Sequence, residues 1–141
     1  MNEATGCRLL EKEQQVSRDY RRLEVFRLAD QLVLDAYRTT VDFPAWERYG
    51  LQAQIRRAAV SVAANIVEGC QRPTTRDYLR FLALSLGSAA EARYLINLGW
   101  RLGFVTEGNR LKLEDGYDHL VRGLENLLRK LDARSVPILN R

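Results

Sequence analysis

Apolar residues recur along most of this chain with the period of an α-helix. From about Tyr20 to Thr40, at about 100° per residue, Val25, Phe26, Leu28, Ala29, Leu32, Val33, Ala36 and Tyr37 cover one half of a cylinder. Glu24, Arg27, Gln31, Asp35 and Arg38 cover the centre of the other half. A connector, Asp42-Phe43-Pro44-Ala45-Trp46, follows, with Pro44 suited to the first turn of the next helix. That second helix is expected from about Glu47 to Cys70. Leu51, Ile55, Ala58, Ala59, Val62 and Ile66 form one apolar stripe along it, and Ala53, Val60, Ala64 and Val67 form another. Gln54, Arg57, Ser61, Asn65 and Glu68 are confined to a narrow band between the two. A helix apolar on two faces needs partners on two faces, inside a bundle or in another subunit.

Gly69 closes the second helix and Cys70-Gln71-Arg72-Pro73 turns the chain. Thr74 and Asp77 stand at capping-box spacing ahead of a third helix running to about Leu102. Its middle is crowded with small residues, among them Ala83, Ser85, Gly87, Ser88, Ala89 and Ala92, which let two backbones approach closely. Leu102-Gly103-Phe104 reads as a stop with glycine in the left-handed position. Thr106 is placed to cap a fourth helix to about Ala133, where Leu113, Tyr117, Leu120, Leu124, Leu127 and Leu131 make a heptad seam. Asp118–Arg122 and Glu125–Arg129 are i, i+4 pairs on its wet side. Four long helices joined by short loops predict an all-α, up-down-up-down antiparallel four-helix bundle. Residues 1–19 read as an N-terminal arm, flexible or partly helical, 20–133 as the bundle and 134–141 as a tail.

Composition changes this picture little. The chain has 141 residues, 46% hydrophobic and 28% charged, enough for one domain that needs neither metal nor disulfides to fold. Met1-Asn2-Glu3 offers neither a basic nor an apolar leader region, and no apolar run is long enough to cross a bilayer, so a cytoplasmic location without membrane contact is expected. Cys7 and Cys70 are expected to be reduced thiols.

Charge changes it more. The net +4 is uneven: residues 23–47 carry −3, whereas residues 48–80 carry +4, with Arg48, Arg56, Arg57, Arg72, Arg76 and Arg80 against Glu68 and Asp77. Guanidinium groups suit phosphate contacts. These six arginines are expected to cluster around one end of the bundle, as an anion-binding patch or as a surface complementary to Asp30 and Asp35 on the first helix of another copy. Aromatic and arginine residues also adjoin at Tyr20-Arg21-Arg22, Trp46-Glu47-Arg48-Tyr49 and Trp100-Arg101. Such neighbours can join base stacking to phosphate contact, although adjacent residues on a helix point in different directions.

Catalytic chemistry is not expected. With one histidine, His119, and Gly116 three residues before it, a di-iron bundle site cannot be assembled. No phosphate-binding glycine loop or nucleophile elbow occurs. No catalytic residue, metal ligand or cofactor is assigned.

Leu23-Glu24-Val25-Phe26, Phe43-Pro44, Tyr49-Gly50-Leu51 and the run Gln54-Ile55-Arg56-Arg57-Ala58-Ala59-Val60-Ser61 resemble the four-helix bundle proteins encoded in 23S rRNA intervening sequences. The likeness continues through Asn65-Ile66-Val67-Glu68-Gly69, Phe81-Leu82 and Gly87-Ser88, over roughly residues 23–131. Ala63 departs from it, standing where many members carry a proline. The family is related in fold to accessory variability determinant proteins of diversity-generating retroelements, homopentamers that bind nucleic acid and a reverse transcriptase. The resemblance therefore implies a homo-oligomer, pentameric by analogy, with Ala53, Val60, Ala64 and Val67 between subunits. It implies a non-enzymatic scaffold that binds RNA or DNA through the six arginines and serves as an accessory to a reverse transcriptase. The alternative is a protein–protein adaptor whose basic stretch serves self-association.

Overall fold

The computed structural model describes residues 18–135. Helices α1 (Glu24–Thr40), α2 (Leu51–Cys70), α3 (Thr75–Arg101) and α4 (Glu107–Ser135) follow one another, with 3₁₀ turns at Tyr20–Arg22 and Ala45–Glu47. Each helix packs on its neighbours in sequence, α4 closes against α1, and diagonal pairs do not approach. This is the expected all-α antiparallel bundle. Of the expected arm, only Arg18 and Asp19 lie among the described residues. Helix α4 runs through Ser135, and residues 136–141 of the expected tail lie outside the described residues.

Helix ends follow local chemistry. The second helix starts at Leu51, four residues later than expected, and Pro44 precedes the separate 3₁₀ turn. The break lies at Gly50, whose ψ of −116° leaves the helical path. There the Glu47 carboxylate accepts the Leu51 N–H at 2.8 Å, and a Cβ on Gly50 would sit 2.7 Å from that oxygen. Thr74 Oγ1 accepts from Asp77 N at 3.2 Å, and Thr106 Oγ1 from Asn109 N at 3.2 Å, so both expected caps form. Gly103, at φ +84°, ends α3 in the left-handed conformation, and the Phe104 ring then packs 5.6 Å from Phe43.

The core runs the length of the bundle. Ile55 and Ile66 from α2, Leu82 and Ile96 from α3, and Leu113, Tyr117, Leu120 and Leu124 from α4 are fully buried. The small residues of α3 do what their size allows. Ser85 Oγ donates to Val62 O at 2.8 Å, Ser61 and Ser88 hydroxyls meet at 2.9 Å, and Ala89 and Ala92 are fully buried. On the far side Gly116 and Gly123, one heptad apart, let α4 close on α1: Cβ atoms there would lie 2.6 Å from Leu32 Cδ2 and 3.0 Å from Val25 Cγ1.

Two polar expectations are corrected. Asp35 belongs to the dry side of α1 at 7% exposure, because Gln31 Nε2 (3.2 Å), Lys112 Nζ (3.5 Å) and Arg38 (3.6 Å) surround its carboxylate. Asp118 pairs across the helix gap with Arg93 at 2.6 Å, while Arg122 meets His119 Nδ1 at 3.3 Å, and among the described residues Arg129 bonds Asn126. Neither expected i, i+4 pair on α4 forms: Asp118 takes its donor from α3, and Arg122 and Arg129 bond nearer neighbours on their own helix.

Gly69 and Gly87 make opposite predictions. A Cβ at Gly69 would meet Phe81 Cβ at 2.9 Å, whereas Gly87 faces open space. In urea titrations Gly69→Ala should lower stability by about 1–3 kcal/mol, and Gly87→Ala should raise it by about 0.5–1 kcal/mol. Burial pushes the Tyr78 hydroxyl up to about 12 and raises that of Tyr117 as well. The unfolded chain loses these protons near pH 10 while the folded chain keeps them. Stability is therefore fully present below pH 10 and should fall above it by about 1.4 kcal/mol per pH unit for each such tyrosine. Urea midpoints between pH 9 and about 11 should show this decline, and Tyr78→Phe should make it shallower.

Candidate nucleic-acid interface

The six arginines do not share one end of the bundle. Helix α2 is 20 residues long, about 30 Å, and separates them into two groups. Arg48, Arg56 and Arg57 lie at its N-terminal end; Arg72, Arg76 and Arg80 lie past its C-terminal end, on the turn and the start of α3. Proximity in sequence does not survive here because a rigid helix carries the chain across the molecule between the two groups.

In the first group Arg56 has a structural job. Its Nε donates to Thr40 Oγ1 at 2.9 Å and a terminal nitrogen to Tyr37 O at 3.5 Å, with the guanidinium 4.5 Å above the Tyr37 ring. Gln52 Nε2 donates to Thr40 O at 2.6 Å. Together they satisfy carbonyls at the C-terminal end of α1, where the helix dipole favours a cation. Arg57 is exposed, and Arg48 lies 6.0 Å from the Tyr49 ring. These three arginines border a surface groove of about 450 Å³ whose walls include Tyr37, Tyr49, Ala53 and Val60.

The second group is built on an aromatic platform. The Arg72 and Arg80 guanidiniums lie 4.5 and 4.7 Å from the Phe81 ring centre, and Arg80 is also 3.7 Å from Asp77. Arg72 Nε is buried and, among the described residues, unpartnered. Arg18, from the arm, joins this end: it donates to Arg72 O at 3.1 Å and to Thr75 Oγ1 at 3.3 Å, and lies over Tyr78 at 4.2 Å. Burial raises the neighbouring Cys70 thiol above its usual range, which keeps it protonated. Arg76 is exposed.

The second apolar stripe of α2 lies outside the core of the single chain. Val60 (41% exposed) and Ala64 are open to solvent, and Ala53 and Val67 are half-buried. Ala53 and Val60 line the groove with Arg48 and Arg57, so the two roles expected for separate residues meet on one surface.

Sequence reading missed the polar seam between α3 and α4. Glu114, buried, accepts from Asn97 at 2.9 Å and from Arg110 at 3.1 Å, with Arg93 at 3.9 Å. Arg110 in turn lies 4.0 Å over Trp100. The i, i+4 spacing of Arg110 and Glu114 is the signal that could have found it. Among the described residues, no three His, Cys, Asp or Glu side chains gather as metal ligands, and no helix is long and apolar enough to cross a membrane.

The two arginine environments separate by mutation. Arg56→Ala should cost about 1–2 kcal/mol by freeing the α1 carbonyls. Arg57→Ala should stay within about 0.5 kcal/mol of the parent. Chemical denaturation of each variant checks the difference.

Comparison with known proteins adds a fold relative and a family. A crystal structure of a protein of unknown function from the S23 ribosomal protein family of Bacteroides thetaiotaomicron superposes with a TM-score of 0.67 at 20% identity. The match covers 74% of this chain and 97% of that one. Among curated proteins none matches the sequence. Residues 21–126, from the 3₁₀ turn before α1 well into α4, match the 23S rRNA-intervening sequence proteins, and the chain belongs to that family.

Proposed function

We propose that this protein is a non-enzymatic, self-associating scaffold that binds nucleic acid through its unpaired arginines. One observation carries the reading. Arg93 and Arg110 on the α3–α4 side are matched to Asp118 and Glu114. By contrast Arg48, Arg57, Arg72 and Arg76, like Arg101 and Arg122 on α3 and α4, have no carboxylate within ion-pair distance among the described residues, and Arg56 is committed to the end of α1. A folded chain that neutralises one set of guanidiniums and leaves another bare has a surface suited to a polyanion. The bare stripe Ala53, Val60, Ala64 and Val67 supports self-association, and a pentamer would pool a charge of about +20. The family's resemblance to retroelement accessory proteins supports a reverse transcriptase as the protein partner.

The shared groove favours a second reading, an adaptor whose Arg48 and Arg57 are covered when copies associate. In that reading Asp30, of the two expected acids, is the one open to a neighbour, since Asp35 is enclosed within its own chain.

Anisotropy titrations with a labelled single-stranded RNA across a salt series test both. Affinity should fall with salt with a slope of about 0.7 per phosphate contacted. Arg48→Gln, Arg57→Gln, Arg72→Gln and Arg76→Gln together should weaken binding and flatten that slope. In light scattering Val60→Asp should reduce the mass to that of one chain. No binding, or a folded fourfold variant that binds equally well, overturns the scaffold reading; no binding together with a mass that falls on charge reversal at Asp30 favours the adaptor.

A further inference from the structure

The connector between α1 and α2 carries two of the most exposed aromatic side chains among the described residues. Trp46 is 78% and Tyr49 is 90% exposed. Large rings left this open lose the free energy of burial, about 1.5–3 kcal/mol for a side chain of this kind, and the Arg48 guanidinium 6.0 Å from the Tyr49 ring covers little of that surface. The backbone around them follows i→i+3 hydrogen bonds, Glu47 N to Pro44 O at 2.9 Å and Arg48 N to Ala45 O at 3.2 Å. In such a path residues three apart lie on one edge, with about 6 Å of rise between them. That turn ends at Glu47, so it holds Trp46 and brings Tyr49 in two residues beyond its end, with the Arg48 guanidinium beside the Tyr49 ring.

Local charge points the same way. Glu47, the acid nearest the pair in sequence, turns its carboxylate inward onto Leu51 N at 2.8 Å. Asp42, at the start of the connector, is exposed, but Arg48 and Arg57 have no ion-pair partner among the described residues. Two open rings interleaved with unneutralised guanidiniums match single-stranded nucleic acid, whose unpaired bases offer faces to stack and whose phosphates lie alongside. A duplex hides those faces, and the other arginine group, around Arg72 and Arg80, has its aromatic ring buried beneath the guanidiniums.

We infer that Trp46 and Tyr49 form a stacking platform for single-stranded nucleic acid, with Arg48 and Arg57 on its phosphates, distinct from the arginine group at the α2–α3 turn. The inference rests on the nucleic-acid reading above and adds the class of ligand and its place. Trp46, Arg48 and Tyr49 precede α2, ahead of the Val60–Val67 portion of the apolar stripe.

The test compares a labelled 20-nucleotide oligouridine strand with an RNA duplex of about the same length, using the full chain and a Trp46→Ala, Tyr49→Ala variant. Both substitutions fall on exposed side chains, and circular dichroism confirms the fold. The parent should bind the strand more tightly than the duplex. The variant should lose at least about fivefold for each ring removed, with duplex binding unchanged. In a Trp100→Phe background the strand should quench the emission of Trp46. Equal affinity for strand and duplex, or a variant that binds the strand as the parent does, overturns the platform and leaves the scaffold reading standing. Absence of binding to either probe overturns both. A variant that keeps strand affinity but loses mass in light scattering makes the patch a contact between copies.

Discussion

The rest of the molecule depends on the close crossing of α2 and α3. Its contact is made of side chains too small to hold the backbones apart, and two serines use that closeness: Ser85 bonds the Val62 carbonyl, and Ser88 meets Ser61. Each buried hydroxyl thereby has a partner, which removes the desolvation cost that a serine in a core would otherwise carry. Near the C-terminal end of α2 the backbones are close enough that Gly69 faces Phe81 Cβ and Tyr78. That approach sets the tight turn from Gln71 to Thr74, and with it the place of Phe81 beneath Arg72 and Arg80. A wider crossing would separate the two guanidiniums from the ring they share.

Charge is distributed around the bundle in two regimes. Between α3 and α4, Arg93, Asn97, Arg110, Glu114 and Asp118 form a connected seam, and its members hold one another in place. A buried carboxylate such as Glu114 is tolerable only because several donors converge on it. At the two ends of α2 the arginines instead lean on aromatic faces, Tyr37 and Phe81. A ring face orients a guanidinium while leaving most of its N–H groups unused and its charge uncancelled. Around α2 the outcome differs residue by residue: Arg56 is bound to the end of α1 and Arg80 to Asp77, while Arg57, Arg72 and Arg76 keep no ion pair among the described residues.

Arg56 shows how finely this is divided. It neighbours Arg57 in sequence, yet the two side chains leave the helix about 100° apart. Arg56 reaches back to the end of α1, and Arg57 does not.

Periodicity was enough to locate all four helices, their caps at Thr74 and Thr106, the stop at Gly103 and nearly all the core, because these depend on neighbours within a few residues and on which face of a helix is apolar. It was also enough to find a second apolar stripe on α2, though that its own bundle leaves Val60 and Ala64 uncovered was decided by packing. What only the packed molecule decided were relations across helices. The inward turn of Asp35 depends on Lys112, the pairing of Asp118 with Arg93 on the register of α3 against α4, and the division of the six arginines on the length of α2 as a rigid rod. Exposure of Trp46 and Tyr49 was likewise undecidable from their spacing, since the late start of α2 at Leu51, set by Gly50 and the inward Glu47 carboxylate, is what leaves them on a connector. Local pattern specifies an element and its buried face; which charges meet is settled by distances between elements, and those exist only once the helices have closed on one another.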